Sequence, residues 1–432
     1  MTSIYIENYG CSANKSNAEI MAGLLEKAGC IVLTDMDNEK SARNADIIII
    51  NTCIVKGPTE NKILKRIKGL VESGKKVIVS GCMPEAEPEL VKGISGDIIL
   101  VGPQHVRDIT KAVEMIIRKK KKKDFIGEQH EIKLCLPKHR YNKMIDIVQI
   151  SEGCDGECTY CITRLAKGRL YSYPAEKIIE EVRSSIDEGC KEIWLTSQDC
   201  ASYGHGLPGL LKDISHLKGK FFVRVGMMNP NNVLPILDEL VEAFRGEKIF
   251  KFIHIPVQAG NDEILKKMGR RYKAEDFRRI ISAFREGIPN ITVSTDIICG
   301  FPGETKAQFG DSVRLIEEIK PDVLNISRFW PRPGTPAARM KQLAGGETKK
   351  RSTELAEVFE RIALEKNKKW LGWEGKILID ERGKAGTGTL MGRNHCYKPV
   401  VVKAAGDKGK IIAGEFVDVR IKDASVNYLK DF

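Results

Sequence analysis

Short apolar runs alternate with segments of helical period in the first quarter of the chain. The runs SIYIENYG, ADIIIINTC and KKVIVSGC are typical of strands, and the segments between them repeat apolar residues every three or four positions. Alternating strands and helices predict a parallel sheet that helices cover on both faces. We therefore expect an N-terminal α/β domain over residues 1–117, with its last helix over residues 106–117.

The same alternation returns after a basic interruption. Residues 118–123 are six consecutive basic side chains, which cannot lie in a core and predict a basic linker over residues 118–142. Both a solvated tether and an RNA-contacting patch would explain this run. Six apolar β-rich runs, separated by helix-length segments, then follow over residues 143–368. Six such units are too few for a closed eight-stranded barrel, so we predict an open partial (βα)6 barrel.

The last part of the chain, residues 369–432, contains short β-rich runs, many glycines and no long helical segment. It predicts a small C-terminal β-barrel, which completes an α/β fold class with three domains. Residues 370–432 carry eleven Lys or Arg against eight Asp or Glu, a net charge of +3. A basic surface of this size suits phosphate contacts and is also compatible with an ordinary solvated surface.

Composition narrows the class of protein. The chain has 432 residues, 30% of them charged, a net charge of +12 and no apolar run of bilayer-spanning length. We expect a cytoplasmic protein with an acidic partner, of which nucleic acid is the commonest. Twelve cysteines in a reducing compartment favour metal binding over a disulfide framework.

Three of these cysteines, Cys154, Cys158 and Cys161, lie in the segment GCDGECTYC. The segment follows the first strand of the middle domain, and barrel folds carry their chemistry on the loops after strands. This spacing suits three thiolates on one iron–sulfur cluster and leaves one iron without a protein ligand. A zinc site completed by a distant residue, or three unrelated thiols, are the alternatives.

A second set of three cysteines follows strands of the N-terminal domain. Cys11, Cys53 and Cys82 each come after an apolar run. The carboxyl ends of parallel strands meet at one edge of a sheet, which is where such folds bind ligands. We therefore expect these thiols to converge on another three-ligand cluster, although each of them alone is typical of a buried core cysteine.

The C-x3-C-x2-C segment, with Tyr160 before its third cysteine, resembles the signature of radical S-adenosylmethionine enzymes. This resemblance implies that the open iron binds S-adenosylmethionine and that an electron splits it to a 5′-deoxyadenosyl radical. With the second cysteine set and the terminal barrel, nearly the whole chain resembles the methylthiotransferases, whose terminal barrel is the RNA-binding TRAM module. The likeness extends to the phrases SQDCASYG, VRVGMMNP, HIPVQAGNDEILKKMGR, STDIICGFPGET and PRPGTPA.

The methylthiotransferase resemblance implies two 4Fe-4S clusters and S-adenosylmethionine as cofactors. CITRLAKGRLYSYP, GMMNP and FWPRPGTPAARM are most similar to the archaeal and eukaryotic branch, which modifies carbon 2 of N6-threonylcarbamoyladenosine at position 37 of tRNA. The same chemistry on N6-isopentenyladenosine or on a ribosomal-protein aspartate is the nearest alternative. A non-catalytic iron–sulfur RNA-binding protein is the alternative from another class.

The resemblance also implies partners and further site residues. The partners are a tRNA substrate, an electron donor (a reductase, flavodoxin or ferredoxin) and a sulfur source, with no membrane and with the chain acting as a monomer. Eight barrel-loop residues are candidates for cofactor binding: Ser197, Gln198, Asp199, His254, Gln258, Gly300, Glu304 and Arg169. Structural roles are the alternative, such as a hydrogen-bonded core histidine or a turn glycine, and a guanidinium suits either a cofactor carboxylate or an RNA phosphate.

Overall fold

Five parallel strands form the sheet of the N-terminal part. The computed structural model describes residues 1–34, 42, 44–54, 57–406 and 409–432. The strands are Ser3–Asn8, Ile31–Thr34, Ile47–Thr52, Lys76–Gly81 and Ile99–Val101, in the spatial order second, first, third, fourth, fifth. The helices are Ser12–Lys27, Gly57–Glu72, Cys82–Ala86, Pro88–Lys92 and Ile109–Ile117, with a 3-10 turn at Val106–Asp108. The predicted parallel sheet is confirmed.

The middle part contains the six predicted strands. They are Ile145–Gln149, Glu192–Thr196, Phe222–Val225, Phe252–His254, Thr292–Cys299 and Val323–Arg328. They form two three-stranded parallel sheets. Backbone bonds from Phe250 N to Val223 O (3.0 Å) and from Met228 N to His254 O (2.9 Å) join the two sheets. The result is the open partial barrel that the pattern predicts.

Helices cover this barrel and a small hairpin lies beside its first loop. The α-helices are Thr163–Lys167, Ala175–Asp187, Leu207–Ser215, Pro230–Val233, Leu237–Phe244, Asp262–Lys267, Ala274–Gly287, Lys306–Ile319 and Gly345–Lys368. The 3-10 turns are Cys200–Ser202, Leu234–Ile236 and Pro336–Arg339, and the hairpin pairs Ser151–Glu152 with Tyr171–Ser172. In the part of the chain that the structure describes, no helix has both the length and the apolar character needed to cross a bilayer.

The C-terminal part is a small β unit. Its six-stranded sheet contains Glu374–Arg382, Thr389–Arg393, Pro399–Lys403, Phe416–Arg420, Asp423–Ala424 and Leu429–Lys430, and a separate pair joins Ala405–Gly406 to Gly409–Lys410. The unit packs against the amino ends of the barrel strands. There, Lys251 N donates to His395 O (2.8 Å), and the Phe250 and Tyr397 rings meet edge to face at 4.8 Å.

The segment between the first two parts lies against both of them. Phe125 is buried and forms a parallel bridge to Val101 of the N-terminal sheet. Leu134 is buried in the core of the barrel. His139 N donates to Glu19 O at 2.9 Å. The two parallel units are therefore held together along this segment as well as through their own surfaces.

A carboxyl group lies buried where the first helix meets this segment. Glu19 is 1% exposed; its Oε1 accepts from Tyr141 N at 3.1 Å, and its Oε2 has no hydrogen-bond partner in the described structure. Burial raises the pKa of Glu19 to about 7, although the Tyr141 amide and the charges of Lys15 and Lys138 oppose this shift. Asp146 adds to the rise. Below about pH 7 the protonated acid is therefore the predominant form of Glu19 in the folded chain.

We expect Glu19→Gln to remove a pH dependence of stability. Because the folded pKa lies above the unfolded value, the favourable contribution of protonated Glu19 is present below pH 4.5 and is lost as the pH rises through about 7. The loss is on the order of 3 kcal/mol. Thermal unfolding should show the glutamine variant gaining stability relative to the unsubstituted chain between pH 5 and pH 8. A constant difference across this range would contradict the assignment.

Candidate metal centre and active site

The three N-terminal cysteines follow three neighbouring strands at one edge of the sheet. Cys11 caps the helix Ser12–Lys27 after the first strand, Cys53 directly follows the third, and Cys82 opens the helix Cys82–Ala86 after the fourth. In the sheet these strands are adjacent. All three thiols therefore lie at the carboxyl edge, where the sequence pattern predicts them.

Buried amides hold the three cysteine loops together. Asn14 Nδ2 donates to Thr52 O at 2.7 Å, and Asn14 Oδ1 accepts from the Cys82 thiol at 3.6 Å. Asn51 Nδ2 donates to Asn8 Oδ1 and to Asn14 O, both at 2.7 Å. Because Asn14, Asn51 and Thr52 are fully buried, breaking any of these bonds would leave a polar group unpaired in the interior.

The thiol of Cys82 is the most buried of this set. Burial raises the pKa of Cys82 to about 12, and the charge of Lys167 is the strongest influence in the opposite direction. Cys11 and Cys53 raise this pKa further, because three neighbouring thiolates would repel one another. A cation bound by the set would reverse this balance, since thiolates are the ligands that iron–sulfur clusters use.

The second cysteine set lies on the loop after the first barrel strand. Gly156 N donates to Cys154 Sγ at 3.2 Å, and Cys161 N donates to Cys158 O at 3.1 Å. A Cβ atom at Gly156 would lie 3.1 Å from Cys154 Sγ and 3.8 Å from Cys158 Sγ. The absence of a side chain at Gly156 therefore keeps the space beside these two sulfurs open.

The aromatic residue of this loop anchors it to the barrel. The hydroxyl of Tyr160 accepts a hydrogen bond from Arg270, and its ring meets Phe301 edge to face at 6.3 Å. Thr159 N donates to Met268 O at 3.0 Å. Burial raises the pKa of Cys158, and the Arg270 guanidinium opposes this rise. The loop is thus fixed by buried groups on its barrel side.

The two cysteine sets face each other across a shared apolar cluster. Ile54, which follows Cys53, and Cys82 itself pack against Ile162, which follows Cys161, and against Ala166. Accordingly, the helix Cys82–Ala86 lies against the helix Thr163–Lys167. The N-terminal sheet edge and the first barrel loop therefore form one composite site.

A buried arginine ties the last barrel loop to the N-terminal cysteine loops. Arg332, 3% exposed at its side chain, pairs with Glu60 and, at 3.5 Å, with Glu87. Glu87 lies directly after the helix Cys82–Ala86. The loop of Arg332 also contacts the second cysteine loop, since Ala337 N donates to Thr159 O at 2.9 Å. The loop that carries Arg332 therefore contacts the N-terminal unit through Arg332 and the second cysteine loop through Ala337.

The donor set fits iron–sulfur clusters. All six cysteines carry free thiols, and they lie in two groups of three on converging loops. Among the described residues, no three His, Cys, Asp or Glu side chains stand close enough to hold a single metal ion. A cluster does not need such a group, because each thiolate binds a different iron.

The loop after the second barrel strand is internally hydrogen-bonded. Gln198 Oε1 accepts from Gly153 N at 2.7 Å, so this side chain supports the loop of Cys154. Ser197 Oγ accepts from Asp199 N at 3.0 Å. This group lies close to the second cysteine set, since the charge of Asp199 raises the pKa values of both Cys154 and Cys158.

Asp199 is 1% exposed and receives four hydrogen bonds. They come from Ala201 N, Asn229 N, Asn229 Nδ2 and Asn232 Nδ2, at 2.7–3.1 Å. Burial raises the pKa of Asp199, and these donors oppose the rise. Asp199 therefore joins the loops after the second and third strands in this structure.

Four more candidates lie at the end of the fourth barrel strand or on the loops after it. His254 Nε2 contacts Asp296 Oδ1 at 2.9 Å, and Gln258 adopts a φ of +70° while Ile298 N donates to its carbonyl at 3.0 Å. Glu304 Oε2 accepts from Gly300 N at 2.9 Å and from Arg351 at 2.7 Å, which makes a buried ion pair.

Arg169 is exposed beside the second cysteine loop. Its carbonyl lies against Gly153, which has a φ of +79° and no room for a side chain.

Four buried polar residues of the site were not predicted from the sequence: Asn14, Asn51, Asn229 and Arg332. Their phrases SANKSNAE, NTC, MMNP and PRPGTP were visible, but a polar residue in a loop or near the end of a strand or helix is ordinarily solvated, and only the fold shows that these side chains are buried.

Family models match all three parts of the chain. The Radical SAM superfamily matches residues 148–316, the Uncharacterized protein family UPF0004 residues 3–102, and the TRAM domain residues 371–430. A solved structure of the radical S-adenosylmethionine methyltransferase TsrM from Kitasatospora setae has a TM-score of 0.58 at 16% identity and covers 78% of this chain and 77% of that one. The fold and the cysteine loop are those of the radical S-adenosylmethionine superfamily.

Closer relatives match over the full length. The "Probable threonylcarbamoyladenosine tRNA methylthiotransferase" of Pyrococcus horikoshii is 43% identical and covers 99% of both chains. The "Threonylcarbamoyladenosine tRNA methylthiotransferase" of Homo sapiens is 36% identical and covers 99% of this chain and 73% of its own. The chain belongs to this family of threonylcarbamoyladenosine tRNA methylthiotransferases.

We expect Arg332→Met to destabilise the folded chain by about 3–5 kcal/mol, because it leaves Glu60 and Glu87 close together without their buried counter-charge. Urea unfolding of the full chain measures the loss. Arg361→Met is the matched control: its pair with Glu317 is exposed, so the loss should stay below about 1 kcal/mol. Equal losses in the two variants would contradict the role given to Arg332.

Proposed function

We propose that the chain attaches a methylthio group to carbon 2 of N6-threonylcarbamoyladenosine at position 37 of tRNA. The observation that carries this proposal is the contact between two three-cysteine sites in a chain whose full-length relatives bear that activity in their names. The terminal TRAM match and the net charge of +12 favour a nucleic-acid substrate over a ribosomal-protein aspartate.

We assign one 4Fe-4S cluster to Cys11, Cys53 and Cys82 and the other to Cys154, Cys158 and Cys161. When bound, these groups and S-adenosylmethionine supply the sulfur, the methyl group and the radical that removes hydrogen from the substrate carbon. The chain would position these groups and exclude water from the site. The hydrogen bond between Tyr160 and Arg270 fixes the second cysteine loop to the barrel. The ion pair of Arg332 with Glu60 joins the last barrel loop to the N-terminal unit.

The barrel loops are proposed to surround S-adenosylmethionine. Gln198 supports the loop of Cys154, and Asp199 is held by the side-chain amides of Asn229 and Asn232. His254, Gln258, Gly300 and Glu304 line the later loops, where their existing hydrogen bonds favour an indirect, shaping role. Arg169, exposed beside the cysteine loop, is available to an anionic group of cofactor or RNA.

The proposal includes a division of labour along the chain. Residues 1–117 hold the first cluster, 118–142 connect, 143–368 form the radical domain, and 369–432 bind RNA. The reaction needs electrons and sulfur from outside the chain, so we propose a reductase, flavodoxin or ferredoxin and a sulfur donor as partners. A monomer acting on tRNA in the cytoplasm fits this scheme.

Replacement of the two cysteine sets should separate two activities. Alanine at Cys154, Cys158 or Cys161 should abolish 5′-deoxyadenosine formation, whereas alanine at Cys11, Cys53 or Cys82 should spare that cleavage and stop methylthiolation. The measurement is anaerobic turnover of reconstituted protein, with iron analysis to verify about eight irons per unsubstituted chain.

Cys30→Ala, outside both sets, serves as the control for the cysteine replacements and should retain both activities. If S-adenosylmethionine cleavage disappears with the N-terminal set while the folded state and the second cluster are intact, the division of labour is wrong. If unsubstituted protein with its full iron content forms no 5′-deoxyadenosine, the result supports the alternative of a non-catalytic iron–sulfur RNA-binding protein.

The substrate is tested by nucleoside analysis of tRNA from a strain that lacks the gene. We expect 2-methylthio-N6-threonylcarbamoyladenosine to disappear and its unthiolated precursor to accumulate, with recovery when the gene is restored. An unchanged level of the methylthio nucleoside would exclude this substrate. A loss confined to the isopentenyladenosine derivative would instead identify the other tRNA target.

A further inference from the structure

Two lysine side chains share one glutamate in the interior between the two cysteine sets. Lys133 Nζ donates to Glu152 Oε2 at 2.6 Å and to Pro103 O at 2.5 Å. Lys167 Nζ donates to Glu152 Oε1 at 2.9 Å. Both lysine side chains are 1% exposed and that of Glu152 is 5% exposed. We call these three residues the buried charge trio.

The charges of the trio do not cancel. Two ammonium groups and one carboxylate leave one net positive charge, and a buried charge is costly unless an opposite charge lies near it. Both Glu152 oxygens accept hydrogen bonds from the ammonium groups, at 2.6–2.9 Å, as an ionised carboxylate does. The excess positive charge needs a further anionic partner in the interior.

The position of Lys167 identifies where that partner lies. Lys167 ends the helix Thr163–Lys167, which lies against the helix Cys82–Ala86, and its neighbour Ala166 belongs to the same apolar cluster as Cys82. Burial lowers the pKa of Lys167, but the charges of Glu152, then Cys82 and Cys11, outweigh this effect and raise it. The excess charge of the trio therefore lies beside the N-terminal cysteine site.

Lys133 differs from Lys167 in its surroundings. Its ammonium is held by Glu152 and by the Pro103 carbonyl, and burial lowers the pKa of Lys133 to about 8 despite Glu152. Cys82 comes last among the main influences on the pKa of Lys133, whereas it stands directly after Glu152 among the charges acting on Lys167. The two lysines thus have the same partner and the same burial but different relations to the cysteine site.

We propose that Lys167 is a positioning residue whose fixed charge balances the anionic cluster held by Cys11, Cys53 and Cys82 and raises its reduction potential. Glu152 orients the Lys167 ammonium toward this site. The inference rests on the proposed function only in assigning a cluster to these three thiols.

The physical reason is the charge change on reduction. A cluster that accepts one electron becomes more negative by one unit, and a nearby cation in a low-dielectric interior stabilises the reduced form more than the oxidised form. Loss of the cation therefore makes reduction harder. The electron comes from the reductant used in the titration, so the step involves no other reactant.

The test is a reductive titration followed by electron paramagnetic resonance. The full chain carries Cys154→Ala, Cys158→Ala and Cys161→Ala, so that the signal arises from the N-terminal site alone. Into this background we place Lys167→Met, Lys167→Arg or Lys133→Met. Lys167→Met should shift the potential to a more negative value, Lys167→Arg should stay near the parent, and Lys133→Met should shift it less than Lys167→Met.

Iron analysis accompanies each titration and keeps the proposal testable if loading changes. If Lys167→Met loses iron at the N-terminal site and Lys167→Arg retains it, the result supports the proposal, because the site then requires a positive charge at position 167. A Lys167→Met chain that loads fully and keeps the parent potential overturns the proposal, as does an equal shift in Lys133→Met. So does loss of loading in both Lys167 variants, because retained charge would then not suffice.

The experiment distinguishes failure of the inference about Lys167 from failure of the proposed function. A chain with the expected shift that leaves tRNA nucleosides unchanged keeps the role of Lys167 and refutes the substrate. A parent chain that binds no iron at its N-terminal cysteines refutes both. Methylthiolation without any dependence of the potential on Lys167 refutes this inference alone.

Discussion

The structure depends on one constraint: the carboxyl edges of two parallel-strand units must meet. The helix Cys82–Ala86 on one side and the helix Thr163–Lys167 on the other form the apolar contact through which they do so. Each cysteine set is complete within its own unit, and this contact places the two sets in one site. Residues far apart in the chain, such as Ile54 and Ile162, become neighbours here.

Buried polar bonds make this arrangement rigid. Asn14 and Asn51 connect the loops of the N-terminal set, Asp199 connects two barrel loops, and Arg332 connects the units. Such groups are expensive to bury unless every partner is in place, so each network favours one geometry strongly over its neighbours. Reactions that bring a radical to one particular carbon require this kind of fixed geometry.

The sequence was sufficient for the arrangement of strands and cysteines. Six barrel strands and the placement of Cys11, Cys53 and Cys82 at strand ends followed from local periodicity, because apolar runs and the residues after them are local features. Two edge strands, Ile31–Thr34 and Ile99–Val101, were not identified, since runs of three or four residues give little periodic signal.

The features that were not predicted depend on contacts between residues that lie far apart in the chain. Lys133, Glu152 and Lys167 look like ordinary surface charges in sequence, and charged side chains are rarely buried. Their burial arises only when the connecting segment, the hairpin strand Ser151–Glu152 and the helix after Cys161 pack together. Likewise, Gln198 was expected to face a cofactor, and its bond to Gly153 N becomes visible only when two loops are brought side by side.

The position of the C-terminal unit has a further consequence for RNA binding. Lys398 of this unit donates to Asp322, at the start of the last barrel strand, at 2.8 Å, and Asn142 donates to Asp380 O at 2.7 Å. These contacts fix the unit at the amino ends of the barrel strands, whereas the cysteine loops lie at the carboxyl ends. In the proposed function, an RNA that contacts both runs along the outside of the barrel, with the C-terminal unit contributing affinity and orientation and the loops around Cys154 and Cys82 recognising the reacting base.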